Sequence, residues 1–597
     1  MNAAPPAELD PAELALAEGF ARQIERWARQ SGADAATAAQ AQAAARALCL
    51  ALAEGHVCLH LSQLPDAPSA ALLRASGVVG SAAAPGPQPL VLDDDGRLYL
   101  QRHFDYERRL ARRLLQAAAA PPAEVGPAAR QQLNALFAAV GDGVDWQKLA
   151  VALALRRRLV VISGGPGTGK TTTVVNLLAC VLAQEPEARI ALAAPTGKAA
   201  ARMSEALRQR AAHLPPALRE RLPAEACTVH RLLGAGPGGF RHDAARPLAV
   251  DLLVVDEASM LDLALATRLL QAVPEPARLV LLGDKDQLAA VESGAVFAEI
   301  SADSGLSPAC IDWLSELCGV PAAALEPAEA GAAGALRDSV VWLSRNFRFG
   351  ADSAIARAAA HIRDGHADEL LDQLRRADEA SLQWIDDGGN QPLERTRQRL
   401  REGFEPYFEA LRREPGDVAA LSQAFDRFRV LCALRDGPRG VVALNQWLSD
   451  HARRASGTAT ASPWYPGRPV MVLRNDPLLK LFNGDIGITL PSAQGEPLVH
   501  FASADGGLRA VPALRLPAHE TAFAMTVHKA QGSEFDDLLV LLPSHPGRVL
   551  TRELLYTALT RARQQVTLAA GADVLAAAVA TRSERQSGLR ARLREAR

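Results

Sequence analysis

The chain has 597 residues, too many for one hydrophobic core, so several domains are expected. A formal net charge of −2 excludes a polyanion-binding surface spread over the whole molecule, so any such site has to be local. The acidic start, "MNAAPPAELDPAELALAEGF", is no secretory signal, no uncharged apolar run reaches the roughly 20 residues of a membrane span, and the seven cysteines form no C-x-x-C pair. A soluble cytoplasmic protein with reduced thiols is expected.

In chain order, residues 1–116 read as Ala-rich helices followed by a hairpin, "PLVLDDDGRLYLQRH", in which Asp-Gly marks the turn. Earlier, at 56–61, "HVCLHL" read as a strand would align His56, Cys58 and His60 on one face, and a packed face is favoured over zinc because a fourth ligand is needed. A linker, "AAAAPPAEVGPAAR", covers 117–130. From 131 to 330, the β-branched runs "RLVVIS", "RIALAAP", "DLLVVDE" and "ARLVLLGD" alternate with helical stretches, the pattern of a parallel sheet with crossover helices. A second series follows in "VVWLSRNF", "AFAMTVH", "DLLVLLP" and "QVTLAAG". It is interrupted by a turn-dense insert, "PGRPVMVLRNDPLLKLFNGDIGITL" onward, expected to form a small β-barrel. The fold class is therefore α/β, with two parallel sheets whose polar residues gather at the carboxyl ends of the strands.

Lysine is scarce, six against 59 arginines, and five of the six (Lys148, Lys170, Lys198, Lys285, Lys529) fall in motifs, with Lys480 outside them. "GGPGTGKT" at 164–171 matches the P-loop pattern G-x-x-x-x-G-K-[ST] between a strand and a helix. Backbone N–H groups of Gly164, Gly165, Pro166's neighbours, Gly167, Thr168, Gly169 and Thr172 then cradle a triphosphate, while Lys170 neutralises its β/γ oxygens. The Thr171 hydroxyl and Asp256, from "LLVVDEAS", suit Mg2+, and Glu257 suits polarising a water, which makes hydrolysis of ATP the expected chemistry. Gln287, in "LVLLGDKDQL", is placed to sense the γ-phosphate. The second series has no P-loop but carries Arg348 in "SRNFRF" and Arg561 in "YTALTRAR", arginines able to reach a nucleotide across a cleft.

Taken in order, "GGPGTGKTTT", "APTGKAAARM", "CTVHRLLG", "VVDEASM", "LLGDKDQLAAVESGAVF", "SRNFRF", "TVHKAQGSEFD" and "YTALTRAR" resemble the motifs of superfamily 1B helicases, the 5′ to 3′ branch. In detail the chain resembles the RecD family, the alpha subunits of exodeoxyribonuclease V (RecBCD), over residues 146–570. The resemblance implies two RecA-like domains, 131–330 (1A) and 331–467 with 521–597 (2A). It also implies a hairpin insert at 237–248 (1B), an SH3-like insert at 468–520 (2B) and a partner-docking N-terminal domain at 1–116. Trp146 and Gln147 would read adenine; Gly532 and Glu534 would meet the nucleotide sugar or phosphates. Single-stranded DNA would lie on Pro195, Thr196, Gly197, Lys198, Thr228, His230, Thr526, His528 and Lys529. The implied activity is ATP-dependent 5′ to 3′ translocation on single-stranded DNA at duplex ends, in a heterotrimer with RecB and RecC, with the nuclease in another subunit. A stand-alone DNA or RNA helicase and a non-enzymatic nucleotide-binding subunit remain as alternatives.

Overall fold

A computed structural model describes residues 11–595 except 65, 138–142, 326–333, 349–352, 377–378, 459–461, 477 and 503–506. The first sheet has six parallel strands in the order Val340–Leu343, Leu159–Gly164, Arg278–Gly283, Leu252–Val255, Ile190–Ala194, Cys227–Thr228. Its three central strands are buried at every residue. Helices cover both faces, so these segments are continuous apolar runs and not alternating ones. On one face Val160, Ile162, Val254 and Val280 pack with Leu149, Leu153, Val175 and Leu178 from the helices Trp146–Arg156 and Lys170–Gln184. On the other, Val161, Leu253, Val255 and Leu281 pack with Phe104, Leu110 and Leu114 of the helix Gln101–Ala118.

That second contact changes the expected domain plan. The N-terminal region is a mixed unit in which the helices Pro11–Gln30 and Ala35–Ala53 pack with a four-stranded sheet containing the expected hairpin, Leu90–Leu92 with Arg97–Leu100. Asp34 caps the second helix by accepting the Thr37 N–H at 2.7 Å, satisfying an end donor that no helical carbonyl can reach. The last N-terminal helix, however, belongs to the core of the first lobe. The linker is also shorter than expected, because a helix runs to Ala118 and the next, Pro127–Leu136, starts at a proline whose fixed φ suits a first turn.

The segment "VVWL" is a second correction. Val340–Leu343 does not open the second sheet; it pairs in parallel with Leu159–Gly164, Val340 opposite Val161 and Leu343 opposite Gly164. An apolar run announces a strand, but backbone pairing decides which sheet receives it. The expected boundary at 330/331 lies outside the described residues.

The second sheet is also parallel, in the order Leu382–Asp386, Ala562–Ala570, Phe535–Leu541, Phe428–Cys432, Ala524–Thr526. Two of these strands, "LQWID" and "FRVLC", are absent from the expected series. Phe404, Tyr407, Phe425 and Phe523 form an aromatic core on one face, with Phe404 and Phe523 edge to face at 5.3 Å. The turn-dense insert forms an antiparallel sheet in the order Leu508–Pro512, Pro497–Ala502, Ile486–Pro491, Arg468–Val472, His519–Thr521, and its end strands are not paired with each other among the described residues. The expected hairpin insert is reduced to Ala235–Gly236 with Gly239–Phe240.

The chain end departs from the second lobe, contrary to the expected 521–597 unit. The Val57 N–H donates to the Gln586 carbonyl at 2.8 Å and Glu107 accepts from the Ser587 hydroxyl and the Gly588 N–H. Arg592 then pairs with buried Asp93, so 585–595 complete the N-terminal unit. His56 and His60 are engaged there too: Gln586 N–H donates to His56 Nδ1 at 2.9 Å, and the His60 ring lies 2.9 Å from the Asp95 carbonyl. Among the described residues no helix is long and apolar enough to cross a membrane.

Candidate nucleotide site in the cleft

The strand Leu159–Gly164 delivers the P-loop at its carboxyl end, and the helix Lys170–Gln184 begins directly after it. Gly167 and Gly169 have φ of +82° and +79°, left-handed values that turn successive N–H groups toward the same space. Lys170 Nζ donates to the carbonyls of Gly164 at 2.5 Å and Gly165 at 3.2 Å. Thr168 is buried and its hydroxyl donates back to Gly165, which braces the loop. Thr172 receives a hydrogen bond from Arg210. Thr171 stands in the first turn of the helix, directly after the loop.

The strand Leu252–Val255 carries Asp256 and Glu257 to the same end of the sheet. Burial first, and the neighbouring Glu257 second, push the Asp256 carboxyl up to about 6, against the opposing pull of Lys170. A carboxylate so disfavoured by its surroundings is one that a cation would stabilise, which fits a divalent ion beside Thr171. Glu257 has a left-handed backbone, φ +52°, and its N–H donates to Asp256 at 2.8 Å.

Gln287 is buried, and its amide donates to Asp284 Oδ2 at 2.8 Å. Asp284 itself follows the strand Arg278–Gly283, so it lies at the same sheet edge.

The segment after the strand Val340–Leu343 and the second lobe together close the site. Phe347 N–H donates to Gly167 O at 2.8 Å, Asn346 donates to Pro166 O, and a Cβ added at Gly167 would lie 2.5 Å from the Arg348 Cβ. Arg348 is therefore on the P-loop, and its guanidinium donates to Glu534 at 2.5 Å. Glu534 also accepts from Arg563 at 3.3 Å. Burial alone would raise its pKa, but Arg348, Arg202 and Arg561 outweigh burial and hold the carboxyl down at about 2. Arg561 is almost wholly buried, donating to the Thr557 and Ser533 carbonyls at 3.3 and 3.4 Å. Gln147 Nε2 donates to Thr168 O at 2.8 Å, so this side chain rests on the P-loop backbone.

The polar residues expected to face DNA fall in two groups. Thr196 caps the helix Gly197–Arg210, Gly197 is covered by Phe482 of the insert, and Lys198 runs beside Gly484. Gly532, expected at the nucleotide and not at DNA, has φ +68° and packs close to Ala199. Lys529 donates to Glu520 at 2.6 Å and Thr526 accepts the Lys529 N–H, while burial, then Arg585, lowers the basicity of His528. Thr228 caps the short helix Val229–Leu232, whose His230 ring lies 5.8 Å from that of Phe240 on the small hairpin. Pro195 ends the strand that precedes Thr196. Missed from sequence are Asp284, Tyr556, Arg202 and Phe482. The first three stand inside quoted motifs, but their contacts across the cleft, Tyr556 with Asp284 and Arg202 with Glu534, are not written in those motifs.

Two parallel-sheet lobes around one P-loop, with Arg348 brought onto that loop and onto Glu534 of the second lobe, define a two-lobed P-loop nucleotide-hydrolase fold of the helicase type. The AAA domain family matches residues 147–293 and the UvrD-like helicase C-terminal domain family matches 521–569. The "RecBCD enzyme subunit RecD" of Mycobacterium tuberculosis is 40% identical over 91% of this chain and 89% of its own length. That of Haemophilus influenzae is 35% identical over 77% of this chain and 74% of its own. The "ATP-dependent RecD2 DNA helicase" of Deinococcus radiodurans is 32% identical over 84% of this chain and 59% of its own. This chain belongs to the RecD family.

Proposed function

We propose that this chain is an ATP-driven 5′ to 3′ translocase and helicase on single-stranded DNA, the alpha subunit of a cytoplasmic heterotrimer with RecB and RecC that processes duplex ends for recombinational repair. The observation that carries it is the meeting of Arg348 with the P-loop glycine Gly167 and with Glu534 of the opposite lobe. One nucleotide between the lobes then controls how they sit against each other.

Lys170 and the P-loop N–H groups bind the phosphates, and Gln147, at the loop, stands where a base edge would follow. Mg2+, held by Thr171 and Asp256, would neutralise charge on those phosphates. Glu257 takes a proton from the attacking water, Gln287 registers the γ-phosphate, and Arg348 and Arg561 stabilise transition-state charge. Loss of that phosphate releases the arginines and the cleft loosens. Unequal grip by Pro195–Lys198 on one side and Thr526–Lys529 on the other turns each cycle into a step. The five-stranded insert is the SH3-like subdomain of this arrangement, and the N-terminal unit is the docking surface for the partner subunits.

Glu257→Gln tests the reading. DNA-stimulated ATP turnover should fall by at least about 100-fold with nucleotide binding retained; unchanged turnover removes Glu257 from the chemistry. The purified subunit is expected to degrade no DNA, and metal-dependent cleavage by it would contradict the assignment of the nuclease elsewhere.

A further inference from the structure

Asp284 lies between two groups with different loyalties. Its Oδ2 accepts the Gln287 amide at 2.8 Å, from its own lobe, and the Tyr556 hydroxyl at 3.2 Å, from the helix Arg552–Leu559 of the other lobe. All three side chains are buried. The Tyr556 hydroxyl also lies against the P-loop: a Cβ added at Gly165 would come within 2.8 Å of it. Glycine at 165 leaves the space that this hydroxyl fills.

The neighbouring contacts tie the same loop to the same helix. Leu288 N–H donates to Thr557 Oγ1 at 2.9 Å, and Gln531 donates to the Leu288 carbonyl at 2.9 Å. Gln531 lies two residues after Lys529, and Arg561 donates to the Thr557 carbonyl. Burial, then Asp284 and Asp286, keep the Tyr556 phenol far from ionising, so it remains a donor. An acceptor shared by two donors is fixed in rotation by both. When one is withdrawn, the carboxylate turns and the other donor loses its direction.

We propose that Tyr556 is a positioning residue for ATP hydrolysis, its hydroxyl holding Asp284 so that the Gln287 carboxamide is aimed at the γ-phosphate only while the second lobe is seated on the P-loop. The proposal rests on the reading of the cleft as an ATP site. It differs from a general packing role because it assigns the effect to one hydroxyl and routes it through one glutamine.

Tyr556→Phe removes that hydroxyl and keeps the ring. In the full chain, DNA-stimulated kcat for ATP should fall roughly tenfold or more, the range of a lost bond to a charged acceptor, while binding of a fluorescent ATP analogue changes less than about threefold. In a Gln287→Ala background the same substitution should add less than about twofold, because its target is already gone. Equal losses in both backgrounds overturn the proposal, as does unchanged kcat. Amide exchange supplies a readout that needs no turnover. The Asp286 N–H donates to Asp284 Oδ1 at 3.1 Å, and its exchange should quicken in Tyr556→Phe without nucleotide. Unaltered exchange there overturns the coupling through Asp284. Absence of ATP turnover in the unaltered chain would instead count against the proposed function.

Discussion

Replacing Glu534 with Gln strips the charge from the centre of the arginine cluster without changing the shape of the side chain. In the folded chain its carboxyl is held at about 2, against an ordinary 4.5. That depression corresponds to about 3 kcal/mol of preference for the ionised, folded form. The side chain keeps 20% of its surface exposed, so solvent screening brings the expected loss to about 1–3 kcal/mol. Because the folded value lies below the unfolded one, the contribution is complete above pH 4.5 and disappears as pH falls toward 2. Opening of the lobes is read at the Leu288 amide, whose hydrogen bond crosses to Thr557. At pH 7 its exchange should be about 5- to 150-fold faster in Glu534→Gln, the gap narrowing with added salt and as pH falls from 4.5 toward 3. Equal exchange in the two proteins at pH 7, or a gap indifferent to pH, would refute the reasoning.

Three further outcomes are expected. Gly169→Ala places a Cβ 2.2 Å from Gln147 Nε2 at a φ of +79°; strain of about 1–2 kcal/mol should weaken ATP-analogue binding roughly tenfold in a fluorescence titration. Arg439→Met leaves buried Asp387, 2.6 Å from the guanidinium, without its cation, and should cost about 3–5 kcal/mol in urea denaturation, partly recovered by adding Asp387→Ala. Burial, then Arg202 and Arg429, bring Lys198 down to about 8. The proposed grip of Lys198 on a DNA phosphate should therefore hold below that pH and be lost above it. Single-stranded DNA affinity should drop about three- to tenfold from pH 7 to 9, and Lys198→Arg should flatten the profile.

Much of the site is legible in the chain because its chemistry is local. A P-loop needs small residues, one lysine and one hydroxyl within eight positions, and the strand before it and helix after it carry their own periodicity. Asp256, Glu257 and Gln287 stand out for the same reason, each following an apolar strand at the carboxyl edge of the first sheet. Arg348 is harder, since 59 arginines carry no information by type. It stands out only by its place after "VVWL", and the sequence does not show that this strand joins the first sheet.

Sequence alone determined the parts: two series of buried strands, one triphosphate loop, a turn-rich insert and the polar residues at strand ends. These follow from side-chain size, backbone freedom and periodicity, which act over a few neighbours. Tertiary structure decided the partnerships. Val340–Leu343 joined the first sheet, residues 585–595 returned to the N-terminal unit, and Glu534 came to rest on Arg348 and Arg563. Tyr556 reached Asp284 across 272 positions of chain. Such contacts join residues far apart in the chain, and no short window of residues encodes them.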